Sequence, residues 1–300
     1  MWFFRTNTAV APKTTAPKTF RAGRRVFITE APYALPKDWK EDQRLDLQHF
    51  MLRKYMRRNF LAPIKNPHTI LDAGCGTGRW GAEMAKMYPK ASVYALDIHP
   101  PTEDSPAIVG AEGVKPENLT VFAGDISQGI INHWNNLFDY THMRAMVIAL
   151  PADAWDTAVS GLVSMTAPGG WVELVDTNFE VDAKNTAIGS QFIDLAKTLF
   201  ASRGFDYQAG NHIAARLAKA GLRNIHFYSI KIPMGYAVGE DGGLMAANTE
   251  EAMRAIKPLC MKAGLLSEDE YDTMLARNHQ DLLTSKGRFH PYFVAYGQKI

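Results

Sequence analysis

The spacing of apolar residues predicts alternating strands and helices between residues 67 and 180. Five apolar runs read as strands buried on both faces, because nearly every position in them is apolar. These runs are residues 69–73, 91–96, 119–123, 138–143 and 171–176. Helical segments at 78–88, 127–134 and 152–165 lie between them. Strands and helices that alternate at this spacing predict a parallel sheet with helices on both faces.

An amphipathic helix is predicted ahead of the first strand. Between residues 39 and 60, apolar positions fall on one helical face among many charges. Asp38 offers an N-cap, and Glu41 follows at the spacing of a capping box. Pro63 and Pro67 separate this helix from the sheet, so residues 30–66 form a helical cap segment before the core at 67–180.

The pattern changes after residue 180. Helical periodicity appears at 188–200 and 212–220, and residues 224–233 alternate like a strand. Two more helical segments, 243–263 and 267–284, precede a last strand at 291–297. We therefore expect residues 181–300 to complete the same fold.

The candidate chemistry is concentrated in the loop after the first strand. Residues 70–78 read Ile-Leu-Asp-Ala-Gly-Cys-Gly-Thr-Gly, which is typical of a strand end, a glycine-rich turn and a helix start. Alternating glycines let the backbone turn tightly and approach a bulky ligand. Asp72 places a carboxylate just before the turn, which suits a ligand with hydrogen-bond donors or positive charge and repels a diphosphate.

Three carboxylates, Asp72, Asp97 and Asp125, follow the first three strands. Ligands of open parallel sheets bind beyond these carboxyl ends. Asp97 suits a bidentate hold on ribose hydroxyls, and Asp125 with Ile126 suits an adenine ring. A ligand with an adenosine, an amino group and a sulfonium charge matches this set, so the predicted cofactor is S-adenosylmethionine. The predicted cofactor-binding residues are Asp72, Ala73, Gly74, Gly76, Gly78, Trp80, Asp97, Ile98, Asp125, Ile126 and Met143.

A nicotinamide or flavin dinucleotide is the rival ligand. Residues 76–81, Gly-Thr-Gly-Arg-Trp-Gly, spell the dinucleotide fingerprint, and Asp97 would serve that ligand equally well. Gly74, Asp72 and the bulk of Trp80 argue against a pyrophosphate, and Asp125 has no role in the rival. The residues therefore favour the methyl donor.

Composition narrows the class of partner. Three hundred residues with 46% hydrophobic content are enough for a substantial core, and a formal charge of +2 gives no support for a nucleic-acid partner. No apolar run reaches membrane-spanning length, so we expect a cytoplasmic protein without a membrane partner. Cys75 and Cys260, like the histidines, lack ligand spacing, so no metal is predicted. Residues 1–29 are basic and contain no acid, which predicts a partly ordered arm; the alternative is that its aromatic tip docks on another subunit of a homo-oligomer.

Several motifs in fixed order resemble class I S-adenosylmethionine-dependent methyltransferases. They are DAGCGTG at 72–78, LD at 96–97, GD at 124–125, FDYTHMR at 138–144 and APGGWVEL at 167–174. The closer resemblance is to the LaeA-like (TAM-domain) natural-product methyltransferases, carried also by Tyr-Ala-Leu-Pro at 33–36 and RLDLQH at 44–49. It covers about residues 30 to 180.

The resemblance implies a Rossmann-like, doubly wound α/β sheet of seven strands whose last strand is antiparallel. Strands six and seven would be 224–233 and 291–297, and the helices at 243–284 would be inserted between them. This insertion is expected to be a lid over the acceptor pocket or an element that forms a homo-oligomer.

The resemblance also implies in-line methyl transfer to O, N or C of a small, apolar secondary metabolite. The alternative is a methyltransferase-like regulator that binds the donor and acts through a protein partner. His142, at the end of strand four, is the candidate general base, with packing or cofactor positioning as the other reading. Candidate substrate-binding residues are Tyr33, His49, Arg144 and Asn178. Arg144 is also placed to hold the donor's carboxylate.

Overall fold

The computed structural model describes residues 19–22, 25–28, 35–129, 134–179 and 187–300. The strands are β1 Thr19–Ala22, β2 Arg25–Ile28, β3 Thr69–Ala73, β4 Ser92–Asp97, β5 Leu119–Ala123, β6 Phe138–Arg144, β7 Thr166–Thr177, β8 Arg223–Pro233 and β9 Phe289–Gln298. The α-helices are α1 Trp39–Met56, α2 Arg79–Met87, α3 Pro106–Val109, α4 Trp155–Met165, α5 Ala187–Ser202, α6 Ala209–Lys219, α7 Glu240–Lys262 and α8 Glu268–Thr284.

Seven of the described strands form one sheet in the order β5-β4-β3-β6-β7-β9-β8. β9 runs antiparallel to both β7 and β8, whereas the five strands from β3 to β7 are parallel. The predicted Rossmann-like sheet with an antiparallel last strand is therefore confirmed. Strand order reverses beside β3, so the carboxyl ends of β3, β4 and β6 open a crevice suited to a ligand.

Helices α7 and α8 are inserted between β8 and β9, as expected. Ser267 and Glu270 form the complete capping box that begins α8. At α1 only half of the predicted box is present. Asp38 accepts from the Glu41 N–H at 3.2 Å, but the Glu41 side chain pairs with Arg44 instead.

Two predicted boundaries were wrong. The strand predicted at 171–176 begins earlier, at Thr166, because residues 167–170 form an irregularity between the Phe138–Thr166 and Tyr140–Trp171 pairs and remain part of β7. Backbone bonds to Lys299 hold this bulge in the sheet. The helix expected at 127–134 is a short 3₁₀ turn, Ile126–Gln128, closed by Gly129 at φ 85°, and residues 130–133 lie outside the described part.

The described residues of the predicted N-terminal arm form an antiparallel hairpin, β1 with β2. Phe27 is 2% exposed and packs in a hydrophobic cluster with Leu35 and residues of α5, α7 and α8. Arg25 Nε donates to Asp38 Oδ2 at 2.6 Å, which ties the hairpin to the start of α1. The expected role of the arm in assembly stays a prediction.

Candidate functional site

The glycine-rich loop after β3 requires its glycines for their backbone conformation and, at one position, for the lack of a side chain. Gly74, Gly76 and Gly78 have φ of 73°, 58° and 79°, the left-handed region that favours glycine. A Cβ at Gly74 would lie 2.7 Å from the Met146 sulfur. At Gly76, by contrast, a Cβ would meet only Leu45 at 3.6 Å. The loop is therefore packed at Gly74 and open toward a cavity at Gly76.

Asp97 is fixed by the loop that it faces. Its two carboxylate oxygens accept from the Gly76 N–H and the His99 N–H, each at 2.9 Å. Burial raises the pKa of Asp97, and the nearby Lys37 charge opposes that rise. Each oxygen keeps a second lone pair. The carboxylate is thus held in one orientation with acceptor capacity left for ligand hydroxyls.

A cavity of about 950 Å³, its open mouth included, lies beyond the carboxyl ends of these strands. We call it the donor cavity. Seven of the residues predicted as binding residues line it: Gly74, Gly76, Asp97, Ile98, Asp125, Ile126 and Arg144. Asp125 is also the N-cap of the following 3₁₀ turn, where it accepts from the Ser127 N–H at 2.9 Å. The predicted ribose and adenine residues therefore face one space.

Ala73, Gly78 and Met143 are not among the residues that line this cavity. Ala73 and Met143 pack in a hydrophobic cluster with residues of α4 and α6. They point to the sheet face opposite Asp72 and His142, because successive strand side chains alternate between faces. Gly78 packs closely against Ile108, because a Cβ added at Gly78 would lie only 2.9 Å from that side chain. Met146 and Ala145, after β6, line the cavity instead.

Asp72 and His142 lie side by side in the register of β3 and β6. Asp72 Oδ1 is 3.0 Å from His142 Nδ1, and the imidazole stacks on Trp80 with centroids 3.9 Å apart. Burial lowers the pKa of His142, so the ring is neutral and Nδ1–H donates to the carboxylate. Its ring is 1% exposed and lines neither principal cavity. This geometry favours positioning over proton transfer, and the catalytic assignment stays a prediction.

Trp80 is buried beside the glycine loop. Its indole is 2% exposed, and Nε1 donates to the Asn59 carbonyl at 2.8 Å. The ring packs against Tyr140 and His142, and the residue also lines a recess next to the loop. Trp80 therefore supports the Asp72–His142 pair, and its part in selecting the ligand stays a prediction.

Arg144 projects from the end of β6 beside both the donor cavity and a recess lined by Asp72 and His49. Its guanidinium donates to His49 Nδ1 at 3.1 Å, while His49 Nε2 lies 3.1 Å from Glu83. Burial lowers the pKa of His49, which keeps the ring neutral and able to accept from Arg144. Among the described residues no carboxylate pairs with Arg144. His49 thus orients an arginine that is available to an anionic group.

Helix α1 and the segment just before it contribute residues that sequence reasoning missed. Lys37, Glu41 and Leu45 line the donor cavity. Asp46 accepts from Thr77 Oγ1 at 2.9 Å and from Arg79 at 2.5 Å, which ties α1 to the start of α2. The RLDLQH motif carried this signal, since Leu45, Asp46 and His49 all belong to it.

A second cavity, of about 1,020 Å³ with its mouth included, adjoins the first. We call it the acceptor cavity, after the role proposed for it below. Helices α5, α7 and α8 contribute mostly apolar side chains to it, among them Phe192, Ile193, Phe200, Ile256 and Leu282. Leu45 and Ala145 line both cavities. The inserted helices therefore wall a space that meets the donor cavity at these two residues.

A buried ion pair stands between the cavities. Glu41, on the donor side, accepts two hydrogen bonds from Arg44, on the acceptor side, at 2.6 and 2.9 Å. Asn248 of α7 donates to the Arg44 carbonyl at 2.9 Å. The ion pair between the cavities is thus polar but charge-balanced, and the bond from Asn248 joins α1 to α7.

Three other polar residues of the acceptor cavity were missed by sequence reasoning: Thr177, Arg288 and His290. They come from the end of β7 and the start of β9, which pair only in the folded sheet. Asn178, the predicted contact, lines neither cavity, and its amide donates to Asn211 of α6 at 3.1 Å. Tyr33 lies outside the described residues.

The described residues contain neither a metal-ligand cluster nor a membrane-spanning helix. In that part of the chain, no three His, Cys, Asp or Glu side chains come together as metal ligands. Among its helices, none is long and apolar enough to cross a membrane.

Comparison with known proteins gives a consistent picture. The profile of a family described as a methyltransferase domain matches residues 70–170. The chain is 26% identical over 234 residues to the N-methyltransferase sirN of Leptosphaeria maculans, covering 76% of this chain and 79% of that protein. It is 27% identical over 283 residues to the N-methyltransferase tcpN of Claviceps purpurea, covering 86% and 94%. Neither relative is named a regulator, so these two give the alternative function no support.

One solved structure supports the fold alone. It is a chain from the complex between the Haloferax volcanii Trm112 methyltransferase activator and a methyltransferase. The TM-score is 0.51 at 13% identity, and the match covers 88% of this chain and 96% of that chain.

Proposed function

We propose that this chain, a class I S-adenosylmethionine-dependent methyltransferase, methylates a nitrogen atom of a small, uncharged and largely apolar metabolite. The observation that carries the proposal is the meeting of two cavities at Leu45 and Ala145. One cavity presents carboxylates and an arginine, and the other presents mainly aromatic and aliphatic side chains. Such a pair suits a charged donor beside an apolar acceptor.

The residues of the donor cavity fit S-adenosylmethionine. Asp97 would accept from the ribose hydroxyls, and Asp125 with Ile126 would hold the adenine. Asp72 Oδ2 is buried with no hydrogen-bond partner among the described residues, so it would accept from the ammonium group or from a water bound to it. Arg144, which His49 orients, would bind the methionyl carboxylate.

When bound, S-adenosylmethionine supplies an electrophilic methyl group on a sulfonium: the lone pair of the acceptor nitrogen forms the C–N bond as the C–S bond breaks, the sulfonium becomes a neutral thioether, and the methylated nitrogen loses its proton to solvent. The protein's part is alignment and exclusion of water. Leu45 and Ala145 leave a passage between the cavities, and α7 and α8 cover the acceptor side. Holding two reactants in line in a dry site supplies several kcal/mol of barrier reduction, on the order of 7–11 in model reactions.

The acceptor cavity favours an uncharged molecule. Arg44 is paired with Glu41, and Arg288 is paired with Asp281 at 2.9 Å, so both cations that line the cavity are already neutralised. An anionic acceptor would have to break one of these buried pairs, at considerable cost. Nitrogen is the acceptor atom to test first because the two relatives described above are N-methyltransferases.

Calorimetry and turnover together test the proposal. The full chain should bind S-adenosylhomocysteine and should not bind a nicotinamide dinucleotide. With methyl-labelled S-adenosylmethionine, uncharged indoles and anilines should receive label, and carbon-13 spectra should show an N-methyl signal. Label that appears only on phenols would contradict the nitrogen assignment. Absence of S-adenosylhomocysteine binding would refute the proposed function itself.

A further inference from the structure

Two buried polar atoms at the acceptor cavity have no hydrogen-bond partner among the described residues. They are Nδ1 of His290 and Nε of Arg288, and both residues line the cavity. Nearly all buried polar groups in folded proteins are hydrogen-bonded, so each exception requires an explanation. One explanation is a bound molecule that supplies the missing hydrogen-bond partners.

The surroundings of His290 determine which of its nitrogens carries the proton. Its Nε2 lies 3.0 Å from Thr177 Oγ1, and that hydroxyl lies 2.5 Å from the Pro291 carbonyl and 3.1 Å from the Asn178 carbonyl. A carbonyl only accepts, so the single hydroxyl hydrogen is directed to Pro291. His290 Nε2–H must then donate to the hydroxyl oxygen, and Nδ1 of the neutral ring is a bare acceptor.

His290 also stays neutral. Burial, together with the positive charge of Arg44, lowers its pKa to about 4. The ring therefore accepts a hydrogen bond at neutral pH and is a weak base. Its use for a ligand is to receive an N–H or O–H group and to hold that group in one orientation.

Arg288 supplies the opposite chemistry. Its Nη1 donates to Asp281 Oδ2 at 2.9 Å, so the charge is balanced, but its Nε–H remains a donor without a partner. The side chain is 4% exposed. Arg288 directly precedes β9 and its carbonyl accepts from Met234, which continues the pairing of β8 with β9. In extended backbone, residues two apart point to the same side, so Arg288 and His290 share a face.

We propose that His290 Nδ1 and Arg288 Nε bind one polar edge of the methyl acceptor, an N–H beside a carbonyl oxygen as in a lactam. The N–H of this edge donates to His290, and the carbonyl oxygen accepts from Arg288. His290 lines the acceptor cavity and not the donor cavity, so the edge orients the acceptor and the methylated nitrogen is a different atom of it. This inference rests on the proposed function, because it names the class of molecule that the acceptor cavity takes. The edge is uncharged, as the two neutralised arginines require.

Two bicyclic probes isolate the N–H. Isocarbostyril carries N–H and carbonyl on one edge, and isocoumarin has the same shape with oxygen in place of N–H. Each is titrated by calorimetry into the full chain saturated with S-adenosylhomocysteine. Wild type should bind isocarbostyril about 10-fold more tightly than isocoumarin, since an unmatched buried acceptor costs about 1–3 kcal/mol.

Substitutions at His290 separate its two nitrogens. His290→Gln keeps an amide N–H near the Nε2 position for Thr177 but removes the Nδ1 acceptor. It should weaken isocarbostyril about 10-fold and leave isocoumarin within about 2-fold. His290→Asn places an amide oxygen near Nδ1 and should retain most of the preference. Arg288→Lys keeps a charge for Asp281 without Nε–H and should weaken both probes. His226→Gln, outside the cavity, is the matched control.

The outcomes are distinguishable. Failure of S-adenosylhomocysteine to bind wild type would overturn the proposed function. If it binds, three results would overturn this inference alone. They are no binding of isocarbostyril at millimolar concentration, equal affinity of wild type for both probes, and equal loss of both probes in His290→Gln. Selective loss of isocarbostyril in His290→Gln with rescue in His290→Asn would support it.

Discussion

Removal of the Arg144 guanidinium should selectively weaken ligands that carry the methionyl carboxylate. Arg144 lines the donor cavity, and the structure gives it one hydrogen-bond acceptor, His49 Nδ1 at 3.1 Å, and no carboxylate partner among the described residues. Its remaining N–H groups are therefore available to the ligand. A hydrogen bond to a charged group contributes about 1.5–3 kcal/mol, which corresponds to a loss of about 10-fold to 150-fold in affinity.

The assay compares two ligands in Arg144→Met by calorimetry. S-adenosylhomocysteine carries the carboxylate, and methylthioadenosine has the same adenosine without it. We expect Arg144→Met to weaken the first within the range above and the second by no more than about 2-fold, since only the first loses a charged partner. Arg254→Met, an exposed site on α7, is the control, and thermal unfolding checks that the variants fold.

Equal weakening of both ligands would refute the reasoning, because it would show that Arg144 shapes the cavity rather than binding the carboxylate. Unchanged affinity for both would place the carboxylate elsewhere. The same conclusion would follow if wild type bound S-adenosylhomocysteine no more tightly than methylthioadenosine. In each case the assignment of His49 as the residue that orients Arg144 would lose its purpose.

Three further predictions concern the loop and the sheet. Asp97→Ala should weaken S-adenosylhomocysteine and methylthioadenosine alike, by about 10-fold or more, because both present ribose hydroxyls; unchanged calorimetric affinity would exclude the ribose assignment. Gly74→Ala should lower the free energy of unfolding, measured in urea, clearly more than Gly113→Ala does. Both glycines have positive φ (73° and 68°), but a Cβ at Gly74 would contact Met146, whereas a Cβ at Gly113 would have no atom within 4 Å. Equal losses of unfolding free energy would show that packing against Met146 is irrelevant. Burial raises the pKa of Glu173 from 4.5 to about 7, so its contribution to stability is complete below about 4.5 and is lost as the pH rises through about 7. Glu173→Gln should flatten the dependence of unfolding free energy on pH between 5 and 8, and an unchanged slope would contradict the shift.

Local pattern was enough to place the ligand-binding edge of the sheet. Asp97 and Asp125 could be assigned because the carboxyl ends of neighbouring parallel strands meet at one edge whatever the helices do. The same argument failed at Met143. Strand side chains alternate between faces, and the register of β6 with β3 turns His142 toward Asp72 and Met143 into the core.

Other errors came from contacts between distant segments. The Pro168-Gly169-Gly170 sequence has ordinary turn chemistry, yet it stays in β7 because Lys299, at the far end of the chain, supplies backbone partners. The N-terminal hairpin has little local signal, and Phe27 is ordered by burial against α5, α7 and α8.

The sequence by itself therefore determined the sheet, the glycine loop and the carboxylates at the carboxyl edge of the strands, since these depend on periodicity and on backbone conformations that glycine permits. It did not determine the acceptor cavity. That space is lined by α1, α5, α7, α8 and the ends of β7 and β9. The first and the last of these segments lie more than 200 residues apart along the chain. Only tertiary packing brings Thr177, Arg288 and His290 together, and only the fixed hydroxyl of Thr177 decides which nitrogen of His290 is free to accept.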